Sequence, residues 1–248
     1  MRTAIISDVH GNLLALETVL ADIRRVGAER IICLGDTVGY GPQPLECLQL
    51  VRDYCAVVLT GNHEYAVLHG ATDFTPLAED ALTWTTHRLR APEVLAYLRQ
   101  MPTHCLEGDQ LFVHGSIYDY TNDYVREADS PYLLEQLVNT LRDDFNGFKW
   151  VFVGHNHRTF LGTTLGFLFP HDDTEPPMTT FYLAGQKVYV SVGSVGQPRD
   201  GDPRASWVLW EDDNVTYYRL EYDWQKTARM ILDVGLPKFL ARRLQYGN

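Results

Sequence analysis

The chain is poor in cysteine, with four residues (Cys33, Cys47, Cys55 and Cys105) among 248 and no CxxC pair. That spacing argues against a thiolate zinc knot or a disulfide framework and points to reduced, buried thiols, since three of the four sit in apolar segments. Positive charge is scarce too. Lys and Arg number 21 against 32 Asp and Glu, a formal net charge of −11, so the basic face of a general polyanion binder is missing and no extended nucleic-acid surface is expected. An acidic balance still admits a small phosphorylated substrate. No charged stretch followed by an apolar run opens the chain, and no apolar run approaches the roughly 20 residues of a membrane span, so the expected location is the cytoplasm, with no membrane partner. Internal repeats, low-complexity tracts and linkers are lacking as well. One domain over residues 1–248 is the expectation for this length.

What is present is an alternation of strand and helix patterns through the first half. "TAIIS", "RIICL" and "AVVLT" read as strands, and "LLALETVLADIRRV" and "PLECLQLVRDY" read as helices with apolar residues at helical spacing. Residues Pro76 to Leu98 read as helical, and "LFVHG" and "WVFVGH" restore the strands. The last third changes character: "TTFYLAG", "KVYVSVG", "SWVLW" and "VTYYRL" follow one another without helices between them, which calls for a mixed sheet or two packed sheets. A helical tail, "TARMILDVGLPKFLARRL", is broken at Gly235, Leu236 and Pro237.

The candidate chemistry sits where strands end, the place where α/β sheets collect functional groups. "ISDVHGN" offers Asp8 and His10, "LGDTVGYG" Asp36, "LTGNHEY" Asn62 and His63, "VHGS" His114, and "VFVGHNHRTF" His155 and His157. Singly, each is weak, because a carboxylate after a strand is usually a turn former or helix cap. Together they hold five of the nine histidines. Strand alternation would set His155 and His157 on one side, where they could grip one thing together. Asp8, His10, Asp36, Asn62, His114, His155 and His157 exceed what one ion can use, so two divalent ions are expected, with Asp36 the natural bridge. Imidazole and oxygen donors without thiolate suit Mn, Fe or Zn in a hydrolytic site.

This series of D-x-H, GD, GNH-E, H and GH-x-H resembles the calcineurin-like metallophosphoesterases, and "SVGSVGQPRDGDPRASW" resembles the closing motif of their small bacterial and archaeal phosphodiesterase branch. The resemblance implies an α/β fold in which two mixed β-sheets pack as a sandwich flanked by helices. It implies one metal on Asp8, His10, Asp36 and His157 and the other on Asp36, Asn62, His114 and His155, with His63 as general acid or as donor to the phosphate. It implies a phosphoesterase, with a phosphomonoesterase and a non-catalytic interaction scaffold as alternatives. The protein serine/threonine phosphatases and the symmetrical dinucleoside tetraphosphatases of this superfamily carry Asp-Arg where this chain has Gly39 and Tyr40, and those phosphatases place an arginine after GNHE where it has Tyr65. A grip on a phosphate dianion is thereby missing from this loop, and a diester, with less charge on its phosphoryl group, is the favoured substrate. Candidate substrate contacts are Asn12, Arg199 and Tyr118, the last in the tyrosine-rich segment Ser116 to Ser130. Arg199 and Arg204 could instead pair with Asp200 or Asp202. His69, His87, His104 and His171 have no ligand-like neighbours and are expected to be structural or solvent-facing.

Overall fold

The computed structural model describes residues 1–71, 74–124, 147–170 and 178–248. Its elements are β1 (Thr3–Ile6), α1 (Leu13–Val26), β2 (Arg30–Cys33), α2 (Pro44–Tyr54), β3 (Val57–Val58), α3 (Asn62–His69), α4 (Pro76–Arg88), α5 (Pro92–Leu98), β4 (His104–Glu107), β5 (Gln110–Val113) and β6 (Trp150–Val153). They continue with β7 (Thr159–Thr163), β8 (Gly166–Leu168), β9 (Met178–Tyr182), β10 (Val188–Val192), β11 (Ala205–Glu211), β12 (Asn214–Leu220), α6 (Trp224–Asp233) and α7 (Lys238–Arg243).

The strands form two mixed six-stranded sheets, ordered β3-β2-β1-β11-β12-β9 and β4-β5-β6-β10-β7-β8. Strands β1, β2 and β3 run parallel in the first sheet, as do β5, β6 and β10 in the second. The four late strands therefore do not make a sheet of their own: β10 enters the second sheet beside β6, while β9, β11 and β12 complete the first. Between the sheets lies a core of Ile5, Ile32, Leu34, Phe112, Trp150, Phe152, Val188, Val190 and Val208. Helices α1 and α2 cover the outer face of the first sheet through Leu16, Val19, Ile23, Cys47 and Val51, where full burial of each large aliphatic side chain contributes about 1.5–3 kcal/mol. α1 starts where the Asn12 side chain accepts the Ala15 N–H and stops at Gly27, whose φ of 80° few other residues adopt.

Two expectations need correction here. The helical stretch from Pro76 to Leu98 is two helices, because Pro92 pushes Ala91 to extended backbone (φ −62°, ψ 134°) and ends the first run before it. His155 and His157 lie beyond the end of β6, in a loop where both have positive φ (63° and 60°), so strand alternation does not set their direction. All four cysteines are free, with Cys33 and Cys47 buried and Cys55 and Cys105 half-buried. No helix among the described residues is long and apolar enough to cross a membrane.

Candidate metal centre

The parallel strands of both sheets deliver their carboxyl ends to one place. Asp8 and His10 follow β1, Asp36 follows β2, Asn62 opens α3 after β3, His114 follows β5, and His155 and His157 follow β6. Backbone hydrogen bonds mesh these loops: Asp8 N to Gly35 O (3.1 Å), His10 N to Asp36 O (2.9 Å), Gly154 N to His114 O (3.0 Å) and Arg199 N to His157 O (3.0 Å). The geometry is strained. Among described non-glycine residues, Asp8, His10, Asp36, Tyr40, His155 and His157 have φ between 48° and 63°, and Asp212, in the β11–β12 turn, is the one other case. Strain of this kind persists where surrounding structure over-determines it, and here it turns donor side chains inward.

Three donor groups result, each with its ligand atoms within 4.8 Å of one another: Asp8, His10 and His157; Asp36, His114 and His155; and His10, Asp36 and His63. Asp36 stands between the first two, its Oδ2 lying 3.2 Å from His114 Nε2 and 3.6 Å from His10 Nε2, while its Oδ1 accepts the His63 N–H (2.9 Å). Asn62 Oδ1 is 3.2 Å from His114 Nε2. The paired histidines thus divide: His157 faces Asp8 (3.2 Å) and His155 faces His114 (3.2 Å).

Backbone carbonyls pin the four rings. His10 Nδ1 donates to Val38 O (3.0 Å), His157 Nδ1 to Gln197 O (2.6 Å), His114 Nδ1 to Leu34 O (3.2 Å) and His155 Nε2 to Asn122 O (3.1 Å). With one proton committed outward, each ring in its neutral form turns a lone pair to the centre, the arrangement that prepares imidazole for a cation. Burial holds His10 and His157 well below the ordinary imidazole range, so both are neutral. Their Nε2 atoms then face each other at 3.2 Å, lone pair to lone pair, and Asp8 Oδ1 beside them has no hydrogen-bond partner. Repulsive contacts of this kind, buried and unsatisfied, fit a divalent cation.

Supporting residues that the motifs did not single out come from several elements. The buried Glu64 carboxylate accepts the N–H groups of Asp36 (2.8 Å), Val38 (3.0 Å) and Gly61 (2.9 Å), locking the β2 loop to the start of α3. Tyr40 packs against His10 and His63, ring centroids 4.6 and 4.5 Å away. His63 is buried, and burial pushes it down to about 4. Its Nδ1 has no partner, and a Cβ on Gly39 would fall inside van der Waals distance of that atom. Glycine stands at this position because the His63 ring fills the space of a side chain.

The three substrate candidates fare differently. Asn12 is 2% exposed and fully engaged: its amide donates to Gly196 O (2.8 Å) and Tyr222 Oη (3.1 Å), and its oxygen accepts from Ala15 N and Thr227 Oγ1. It ties α1 to the closing loop, and these contacts engage both ends of its amide. Tyr118 is 72% exposed; the tyrosine over the centre is Tyr124, whose ring lies 4.0 Å from that of His155. Residues 125–130 of that segment, and His171, lie outside the described residues. Arg199 does face the centre, with its guanidinium 5.7 Å from the Tyr40 ring centroid and 3.3 Å from Tyr124 Oη. Arg204 pairs with Asp202 (2.6 Å) and Asp200 with Arg219, so the ion pairs weighed for Arg199 are not made. His69 stacks on Tyr65, and His104 packs on Tyr120.

Protons and metal compete here. Burial pushes Asp8 up to about 7. Burial acts to lower His114, but the charge of Asp36 and its hydrogen bond outweigh it and raise the ring to about 9. Cation ligands must be deprotonated, so a raised pKa weakens binding below that pKa and the penalty vanishes above it. Apparent metal affinity is expected to rise about tenfold per pH unit between 7 and 9, where His114 alone yields its proton, and more steeply below 7, where Asp8 also does. Calorimetric titration of Mn²⁺ in buffers of different ionisation heat counts those protons, and a pH-independent affinity with no proton release would contradict the assignment.

Comparisons with known proteins agree with this geometry. Residues 1–159 match the model of the calcineurin-like phosphoesterases, and the chain belongs to that family. It is 36% identical to an uncharacterized protein of Methanocaldococcus jannaschii over 99% of this chain and 98% of that one. The crystal structure of a metallophosphoesterase from Sphaerobacter thermophilus superposes with a TM-score of 0.85 at 35% identity, covering 100% and 99% of the two chains. A symmetrical bis(5'-nucleosyl)-tetraphosphatase of Methylococcus capsulatus is 33% identical over 45% of this chain and 42% of its own length. The chain is thus a hydrolase of a family that uses divalent metals, and its fold is the sandwich of that family.

Proposed function

We propose that the protein is a dinuclear-metal phosphoesterase acting on disubstituted phosphoryl groups, phosphodiesters above all. The observation that carries this is the position of Asp36, whose carboxylate joins two donor groups drawn from both sheets. Asp8, His10, Asp36 and His157 would hold one divalent ion and Asp36, Asn62, His114 and His155 the other, of the Mn, Fe or Zn class. When bound, such ions supply positive charge to the phosphoryl oxygens and acidify the attacking water. The chain's own groups do the rest. His63, neutral and held between Tyr40 and Gly39, presents an imidazole N–H to a phosphoryl oxygen in the proposed complex. The β2 loop has Gly39 and Tyr40 and so offers no guanidinium of its own, which suits a singly charged phosphoryl group better than a dianion.

A phosphomonoesterase is the second reading, and Arg199 favours it by bringing a cation to the rim from the opposite loop. The protein reconstituted with Mn, Fe or Zn is assayed on bis(p-nitrophenyl) phosphate and p-nitrophenyl phosphate. Metal-dependent kcat/KM is expected to be higher on the diester. The reverse order by tenfold would replace the diester preference by the monoester one, and no turnover of either ester with any metal would return the chain to an interaction scaffold. The expected substrate is small, and the expected location is the cytoplasm.

A further inference from the structure

Two arginines meet at the rim of the centre, and neither pairs with an acidic side chain among the described residues. Arg199, in the loop after β10, and Arg243, in the last turn of α7, both donate to the same neutral acceptor, Gln197 Oε1, at 2.8 and 2.9 Å. Gln197 also supplies the carbonyl that pins His157, so this pair is built on the wall of the metal centre. Among the described residues no Asp or Glu side chain pairs with either guanidinium, although Asp200 and Asp202 are neighbours in sequence, each engaged by another arginine. Arg199 Nε is buried without a hydrogen-bond partner. Arg243 Nε also donates to the main-chain oxygen of Asn248, the last residue of the sequence (2.6 Å), and its guanidinium lies over the face of Phe239. Like charges drawn together around one amide oxygen are unfavourable by themselves, and in a chain with 32 acidic residues a carboxylate would be easy to supply. A guanidinium fork with open donors matches the oxygens of a phosphoryl group.

We propose that Arg199 and Arg243, bridged by Gln197, form a subsite for a second phosphoryl group, and that the substrate class is a phosphoric anhydride with one phosphoryl at the metal centre and its neighbour on the arginine pair. This rests on the phosphoesterase reading above and deepens it, since an internal anhydride phosphoryl is disubstituted and singly charged, as in a diester. In the reaction water adds its oxygen to the phosphorus at the centre. The bond from that phosphorus to the bridging oxygen breaks, the bridging oxygen keeps the electron pair, and each product phosphate takes one of the water's two protons. Arg199 and Arg243 stabilise the charge that collects on the departing phosphate. Arg243 lies beyond residues 1–159, the stretch that matches the family.

The Mn-loaded protein is titrated calorimetrically with methylenediphosphonate, an anhydride mimic that cannot be hydrolysed, and with orthophosphate. Wild type is expected to bind the diphosphonate at least about tenfold more tightly, the size of one charge-assisted hydrogen bond. Arg243→Gln is expected to remove that preference, and Arg243→Lys, which keeps the charge but not the fork, to retain part of it. Thermal melting of both variants checks folding; if Arg243→Gln does not fold, the lysine variant and the wild-type preference decide. Equal affinity for the two anions in wild type, or an unchanged preference in a folded Arg243→Gln, overturns the subsite. If wild type still turns over bis(p-nitrophenyl) phosphate with metal, the phosphoesterase reading survives that result, whereas absence of any such turnover removes the reading on which the subsite rests.

Discussion

Asp36→Ala is expected to lower metal content at both positions and to reduce turnover more than alanine at any other ligand. The reason lies in its contacts. Asp36 Oδ2 is shared between His10 and His114, and Asp36 Oδ1 holds the N–H that starts α3 at His63. Its carboxyl is held well below the usual range because, although burial opposes ionisation, His114 and His63 beside it outweigh that effect, so it enters the centre as an anion. One opposite-charge pair at about 4 Å is worth about 4 kcal/mol at an effective dielectric of 20, roughly 10³ in affinity, and a bridging carboxylate serves two cations. Without it the ions would also repel each other unscreened. Asp36→Asn keeps an acceptor for the His63 N–H and so separates loss of charge from loss of loop geometry. Metal analysis by mass spectrometry together with kcat/KM provides the check: equal, mild losses at Asp8, Asp36, His114 and His157 would argue against a shared carboxylate.

His63→Ala is expected to leave metal content unchanged while reducing turnover by about 10² to 10³, the loss associated with one preorganised donor. Because burial holds the ring neutral at ordinary pH, it acts as an N–H donor to the phosphate, and the loss should be similar for aryl and alkyl diesters. A loss confined to alkyl esters, whose poor leaving oxygen needs a proton, would make His63 the general acid instead. Loss of metal would make it a ligand beside His10 and Asp36, and full activity on an alkyl diester would leave it a packing residue. Gly39→Ala offers an independent route to the same result. The new Cβ would occupy the place of His63 Nδ1 at a φ of 87°, displacing the ring without removing it, so activity should fall with metal content intact.

Much of this was legible in the chain. The bounds of α1 and α2 follow from apolar spacing between Asn12 and Gly27 and from Pro44 at a helix start, all local signals. β4, β7 and β8 carry no such signal: β4 is a half-exposed edge strand, β8 is three residues long, and β7 begins two residues after His157, where a motif masks its pattern. The donors were legible for the same local reason, since each sits just after a strand in a short motif of fixed residue types.

By itself the sequence determined which side chains are candidates for the chemistry, because residue type and neighbouring glycines are written in each motif and need no distant partner to be read. Only the tertiary structure decided how they are shared. His10 and His157, 147 residues apart, become partners because β1 and β6 end at the same rim of two different sheets. His155 and His157, two residues apart, diverge because positive φ angles set their directions where strand periodicity no longer applies. Asn12 was drawn into the fold as a helix cap, Tyr124 came over the centre where Tyr118 did not, and Arg243 arrived from the last helix. Short-range pattern specifies what a residue can do; which residues meet is set by packing of strands and helices far apart in the chain, and no local window contains that information.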